Sequence, residues 1–338
     1  SLGLFYAAIT GHLGLKAHED EYKVMGLASY VRKDDVTKLC KVFEKLVWVD
    51  GLNFNSSVPA RQYGLYLKEK LTGCRFDHIA AAAQIYLEDQ LVLWVNNSIH
   101  ETGIKHVACG GGVFLNVKAN SKLLARIKTK NIFFMPSPGD DTNAIGAAYF
   151  GYKLFSSHRP QPLSSLYLGP DYTESEIMKT LIKFPELKID RPKNINLEVA
   201  KLLANGEVVA RYAGRMEFGV RALGNRSIIA DPRNRDVVEK LNKMIKMRDF
   251  WMPFAPTILA ETADKYLVNA HKIEAPYMIV AFETTEAGKR DMAAALHPYD
   301  KSVRPQVLSK YDNPKYYDLI SHFMKLTGVG ALLNTSFN

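Results

Sequence analysis

Apolar-periodic stretches and short Gly- or Pro-marked turns follow one another along most of the chain. Leu2–Leu15 is apolar and helix-like. His78–His100 (HIAAAAQIYLEDQLVLWVNNSIH) repeats apolar residues at helical spacing, and Gly103 is placed to stop it. Residues 34–75 are mixed and read as loop-rich. KHVACGGG and NIFFMP read as strands, and SPGDDTNAIGAAYFGYKLF as a loop entering a helix. Thr173–Glu176 (TESE) is a capping box for a short helix. Leu197–Asn205 is helical and leads into EVVARYA (Glu207–Ala213), a β-branched run that reads as a buried strand. Further on, Asn234–Lys246 is helical, PYMIVAFE reads as a clear strand, PKYYDLISHFMKLTG is a helix ending at Gly328, and GALLNTSFN is a strand. The polar, Pro-rich Ser156–Ser165 is a candidate linker and divides the chain into 1–157 and 166–338.

Composition narrows the class. With 338 residues, 47% hydrophobic and 23% charged, the chain is large enough for two cores. Cys40, Cys74 and Cys109 are widely spaced, which argues against a disulfide framework or thiolate metal site and fits a reducing, cytoplasmic compartment. No apolar run approaches a membrane span, and SLGLFYAAIT lacks a basic leader, so we expect no membrane association. The chain begins in mid-pattern and stops in an apolar run, and we expect both ends to be cut from a longer protein.

The net charge of +9 is not spread evenly. Arg211–Arg248 holds ten Lys/Arg and four Asp/Glu, a net of +6. Within it, Gly214–Ser227 (GRMEFGVRALGNRS) places Arg215, Arg221 and Arg226 among three glycines and a single acid, Glu217. Guanidinium forks suit phosphate or carboxylate better than ammonium groups do. The same composition would suit a solvated basic loop; the charge concentration favours a polyanionic ligand.

Other stretches carry candidate chemistry. Cys109–Arg126 runs from a strand through Gly110, Gly111 and Gly112 into a helix, where backbone N–H groups could approach an anion; a tight strand–helix turn needs the same glycines. Asn116, one turn into that helix, could reach a ligand. Asp140 and Asp141 fall at the next helix start, as caps or as carboxylates for a metal or Mg-nucleotide. Lys23 follows an acidic cluster and is either a phosphate ligand or half of a surface ion pair. Lys246 and Arg248 stand beside Phe250, Trp251 and Phe254, which could grip phosphate and stack a purine or form an aromatic core segment. Arg304 precedes Pro305, and Asn334 and Ser336 close the final strand. The histidines show no metal-ligand spacing.

Together EYKVMGLASY, CGGGVFLNVKAN, PSPGDDTNAIGAAYF, YLGPDYTESEI, GRMEFGVRALGNRSIIADPR, KMRDFWMPFAPTILAE, PYMIVAF, HPYDKSVRPQ and LLNTSFN resemble the nodulation-type and antibiotic-tailoring O-carbamoyltransferases, in the family's order and over nearly the whole chain. The resemblance implies an α/β protein: the C-terminal part of an actin-like ATPase-superfamily domain similar to the tRNA threonylcarbamoyl-transferase fold, then a carbamoyl-adenylate-forming α/β domain with a twisted sheet. It implies carbamoyl phosphate, ATP with Mg2+ and a small-molecule hydroxyl acceptor as partners, with no nucleic acid, and leaves a homodimer open. Catalysis would fall to Arg304, Asn334 and Lys246. Nucleotide and phosphate would be held by Arg215, Arg221, Arg226, Arg248, Ser336, Lys23, Gly110, Gly111, Gly112 and Asn116. Asp140 is the one implied metal ligand, because the family's metal-binding histidines, for a divalent transition metal with iron foremost, belong to a segment upstream of Ser1. Met252 stands where many members carry Arg, and the family continues past LLNTSFN. No covalent nucleophile is needed for such chemistry, in keeping with the lack of a Ser–His–Asp or Cys–His arrangement. A kinase of the actin-like superfamily would use the GGG and GDD turns but leave the arginines unexplained. An RNA-binding module would show exposed stacking aromatics, and these lie instead in apolar strands and helices.

Overall fold

Ala331–Ser336, almost wholly apolar at its start, forms the middle strand of a five-stranded sheet. In spatial order the strands are Gln306–Leu308, Ala255–Leu259, Ala331–Ser336, Arg226–Ala230 and Val209–Tyr212. The first two run parallel and the remaining pairings are antiparallel. The computed structural model describes residues 1–243, 249 and 251–337. Arg226–Ala230 and Ala255–Leu259 are buried along their whole length, as expected of strands covered on both faces. Helices Ile195–Ala204 and Pro314–Thr327 pack on each other and on this sheet, with Tyr316, Leu319, Ile320 and Phe323 buried beneath them.

The first half is built on the helix Phe76–Thr102. Its alanines 80–83 present almost no side-chain bulk and are fully buried, so neighbouring helices approach closely. Helices Leu2–His12, Glu21–Ala28, Thr37–Phe43 and Val117–Arg126 all pack against it. Gly103 ends it at φ 68°, where the missing Cβ allows the left-handed turn. Val117–Arg126 is the crossover between two parallel strands, His106–Cys109 and Asn131–Phe134. No regular element occurs from 156 to 173. One hydrophobic cluster nonetheless includes side chains from Leu2 through Leu332, so apolar contact continues from one half into the other.

Several expectations need correction. The run from 34 to 75 is not loop-rich: it holds helices Thr37–Phe43 and Tyr63–Leu71 and a hairpin, Trp48–Asp50 with Asn53–Asn55. Val209–Tyr212 is a strand, but an edge strand with alternating exposure rather than a buried one, because no strand among the described residues pairs beyond it. PYMIVAFE is not a strand. Met278 adopts φ 57°, and pairing is limited to a bridge from Phe282 to Val303 and the two-residue strand Glu283–Thr284. Its apolar residues fill a buried irregular segment, which periodicity alone does not distinguish from a strand.

Candidate functional site

A cleft of about 890 Å³ runs between the two halves. Gly112, Asn116, Lys118 and Asp140 line it from the first half, and Arg221, Phe254, Arg304 and Ser336 from the second. Glu19, Glu21 and Asp140 of the first half and Arg221 and Arg304 of the second are all among its lining residues.

The Gly214–Ser227 stretch is a scaffold for one of its arginines. Glu217 is buried, and its Oε1 accepts the backbone N–H groups of Leu223, Asn225 and Arg226 at 2.9, 2.7 and 3.1 Å. The loop's carbonyls are held from outside. Asn334 Nδ2 donates to Ala222 O (3.1 Å), Tyr167 and Gln306 donate to Leu223 O (2.7 and 3.2 Å), and Arg211 donates to Gly224 O (2.8 Å). Gly224 takes φ 109°, and a Cβ there would collide with the Tyr316 ring. The loop between Glu217 and Asn225 is thereby fixed, with Arg221 facing the cleft.

The three guanidiniums do not form one receptor. Arg226 is buried, lies 3.6 Å over the Tyr212 ring, and donates to the carbonyls of Ala213, Gly214 and Asn225. Arg215 is exposed and donates to Leu168 and Gly169, tying the loop to the segment after the linker. Only Arg221 of the three lines the cleft. Asn334 lies beneath this lining, 2% exposed, bonded to Ala222 and to Thr257 Oγ1 at 3.1 Å. Lys246 and Arg248 lie outside the described residues, as does Phe250. Trp251 and Phe254 pack with the apolar core, and Phe254 also lines the cleft.

In the first half, Lys23 pairs with Asp20 (3.2 Å) and Asp249 (3.3 Å), does not line the cleft, and thus takes its ion-pair reading. Gly110 and Gly111 are likewise outside the lining, and a 3-10 turn, Gly112–Leu115, intervenes before the helix. Asn116 is that helix's N-cap, accepting from Ala119 N–H at 3.0 Å, instead of lying one turn inside. Asp140 opens a 3-10 turn before helix Asn143–Phe155 and is exposed to the cleft. Among the described residues, no group of three or more His, Cys, Asp or Glu could hold a metal ion. Asp140 supplies a lone carboxylate, which does not make a transition-metal site.

Sequence reasoning passed over the joint between the halves. His297, 3% exposed, sets Nε2 3.0 Å from Gly26 O; a carbonyl only accepts, so Nε2 carries the hydrogen. Lys118 pairs with Asp300 and donates to Ser302 Oγ at 2.7 Å. Burial works to raise the Asp300 carboxyl, but the His297 ring and the Lys118 ammonium outweigh it and hold the carboxyl well below the usual range. Ala281 N–H bonds Val117 O, and Asn120 Nδ2 bonds Ile279 O. Residues 279–303 therefore fasten the second half onto two helices of the first, immediately before Arg304. The HPYD stretch offered a signal, a His and an Asp three residues apart, that attention to Arg304 obscured.

The fold is a mixed α/β arrangement with one cleft lined from both halves of the chain, and comparison with known proteins gives the chain a family. The carbamoyltransferase N-terminus profile matches residues 1–149 and the carbamoyltransferase C-terminus profile residues 200–338. Nodulation protein NolO of Bradyrhizobium diazoefficiens is 34% identical over all of this chain and 63% of its own length. Nodulation protein NolNO of Sinorhizobium fredii is 33% identical over all of this chain and 51% of its own. An uncharacterised protein of Synechocystis sp. is 34% identical over all of this chain and 62% of its own. This chain belongs to the carbamoyltransferase family. It spans between about half and two thirds of the length of these relatives. Among the described residues no helix is long and apolar enough to cross a membrane.

Proposed function

We propose that the chain carries the carbamoyl-activating and carbamoyl-transferring cleft of an ATP-dependent O-carbamoyltransferase. The observation behind this reading is the shared lining: residues from the stretches matched to the family's N-terminus and C-terminus face one cavity. Carbamoyl phosphate first yields carbamate and phosphate with water. A carbamate oxygen then attacks the α-phosphorus of MgATP, and pyrophosphate leaves. Arg221 and Arg304 would neutralise the phosphates and orient the attack, work that is mainly positioning and charge. The acceptor hydroxyl next attacks the carbamoyl carbon, losing its proton to a cleft carboxylate, and AMP leaves with its electron pair. Glu19, Glu21 and Asp140 line the cleft, and one of these carboxylates would take that proton. A transition metal would polarise the carbamoyl oxygen; the described residues do not build its site, and no step is assigned to it. An actin-like ancestry of the first half and a two-domain division near 156–165 belong to the same reading.

Product analysis tests it. Incubation with carbamoyl phosphate and MgATP should release pyrophosphate, with AMP following only as water or an acceptor hydroxyl consumes the adenylate. ADP without pyrophosphate would indicate a kinase and overturn the reading.

A further inference from the structure

On the floor of the cleft three helices meet through polar side chains to which the proposed chemistry gives no role. Gln84, from helix Phe76–Thr102, is 5% exposed. Its amide and that of Asn116 bond reciprocally: Gln84 Nε2 donates to Asn116 Oδ1 at 3.0 Å, and Asn116 Nδ2 donates to Gln84 Oε1 at 2.8 Å. The Tyr6 hydroxyl, from helix Leu2–His12, donates to the same Gln84 oxygen at 2.7 Å. One helical turn beyond Gln84, Glu88 Oε1 accepts the second Gln84 N–H at 2.8 Å. Gln84 is the sole polar residue between Ala80 and Leu87 apart from the Tyr86 hydroxyl, so the sequence pattern already marks it.

These bonds fix direction. Ala119 N–H can only donate, which assigns Asn116 Oδ1 and therefore Nδ2. Both N–H groups and both acceptor sites of Gln84 are used, so neither amide can turn over without setting like groups against each other. Asn116 has two amide hydrogens; the pair uses one, and the amide also stands close enough to the Tyr6 hydroxyl to work against the rise that burial gives its pKa. Asn116 and Tyr6 both line the cleft, and the Tyr6 proton is committed to Gln84.

We propose that Gln84 and Glu88 are positioning residues that, through the reciprocal amide pair, hold the second Asn116 Nδ2–H as a fixed donor to an oxygen of a nucleoside monophosphate moiety in the cleft. The inference rests on the proposed function for the identity of that moiety. Burial raises the Glu88 carboxyl, while Gln84 and the charges of Lys122 and Lys118 lower it. Either state offers an oxygen to Gln84, so the network survives a change in Glu88 protonation.

AMP is the probe, titrated calorimetrically into the whole chain. Gln84→Met keeps volume but cannot bond; Glu88→Leu removes the anchor; Glu88→Gln keeps an acceptor oxygen. Gln84→Met should weaken AMP by about tenfold, about 1.4 kcal/mol, and Glu88→Leu by about fivefold, about 1 kcal/mol, with Glu88→Gln within about threefold of the parent. Equal AMP affinity in the parent and Gln84→Met overturns the proposal. So does a parent that binds no AMP, or a Glu88→Gln variant as impaired as Glu88→Leu. If Gln84→Met fails to fold, the two Glu88 variants decide. Absence of pyrophosphate from the parent would count against the adenylation reading alone, because the AMP comparison does not depend on turnover.

Discussion

At the scale of single residues, the glycine- and arginine-rich loop separates into parts that hold and a part that lines the cleft. Glu217 satisfies three backbone N–H groups in a buried setting. Leaving such donors without an acceptor costs about 1–3 kcal/mol each, less whatever water recovers. Glu217→Ala should therefore lose about 2–4 kcal/mol in a urea unfolding experiment, and Glu217→Gln, which keeps an oxygen, should lose less. Arg226 and Arg221 make a paired prediction. Arg226→Ala strips donors from three carbonyls and should lower the thermal midpoint. Arg221→Ala should leave that midpoint within a few degrees and weaken carbamoyl phosphate or ATP by roughly ten- to a hundred-fold. The reverse pattern would mean that the roles have been exchanged. The sequence shows three arginines of equal standing. Which one faces a ligand depends on the carbonyls that the folded loop presents, and these lie as far away as Pro170 and Leu168.

At the scale of elements, local signals with local physics were legible. The left-handed stop at Gly103, the capping box at Thr173 and Glu176, and the helix ending at Gly328 follow from short-range chemistry. PYMIVAFE and EVVARYA were misread because strand pairing and burial depend on partners distant in sequence. Asn116 was placed a turn too deep because a 3-10 turn separates the glycines from the helix. The loop from His297 to Ser302 was missed as a joint for the same reason: its partners, Gly26 and Lys118, belong to the other half. That joint makes a pH prediction. Asp300 sits well below the ordinary carboxylate range in the folded chain, so the unfolded chain binds more protons as acid is added. The stabilisation from this pair is complete above the ordinary Asp range, about pH 4, and declines as pH falls below it. Asp300→Asn should destabilise the chain at pH 7 and flatten the acid limb of its stability curve. An unchanged acid limb would show that the Lys118 pair contributes nothing measurable.

At the scale of the whole molecule, one cleft brings together carboxylates and amides of the first half and guanidiniums of the second. Resemblance along the sequence anticipated the family, and the chemistry proposed for the chain rests on the halves' shared lining. Tests of that chemistry belong on the intact chain, because one hydrophobic cluster reaches from Leu2 to Leu332. The central claim is that carbamate is activated as an adenylate. Adenylation is reversible, so the most direct measurement is exchange of labelled pyrophosphate into ATP. The account predicts exchange that requires carbamoyl phosphate and is reduced at least about tenfold by Arg221→Ala. Label entering ATP equally well without carbamoyl phosphate, or no exchange by a folded chain that binds both substrates, would contradict it.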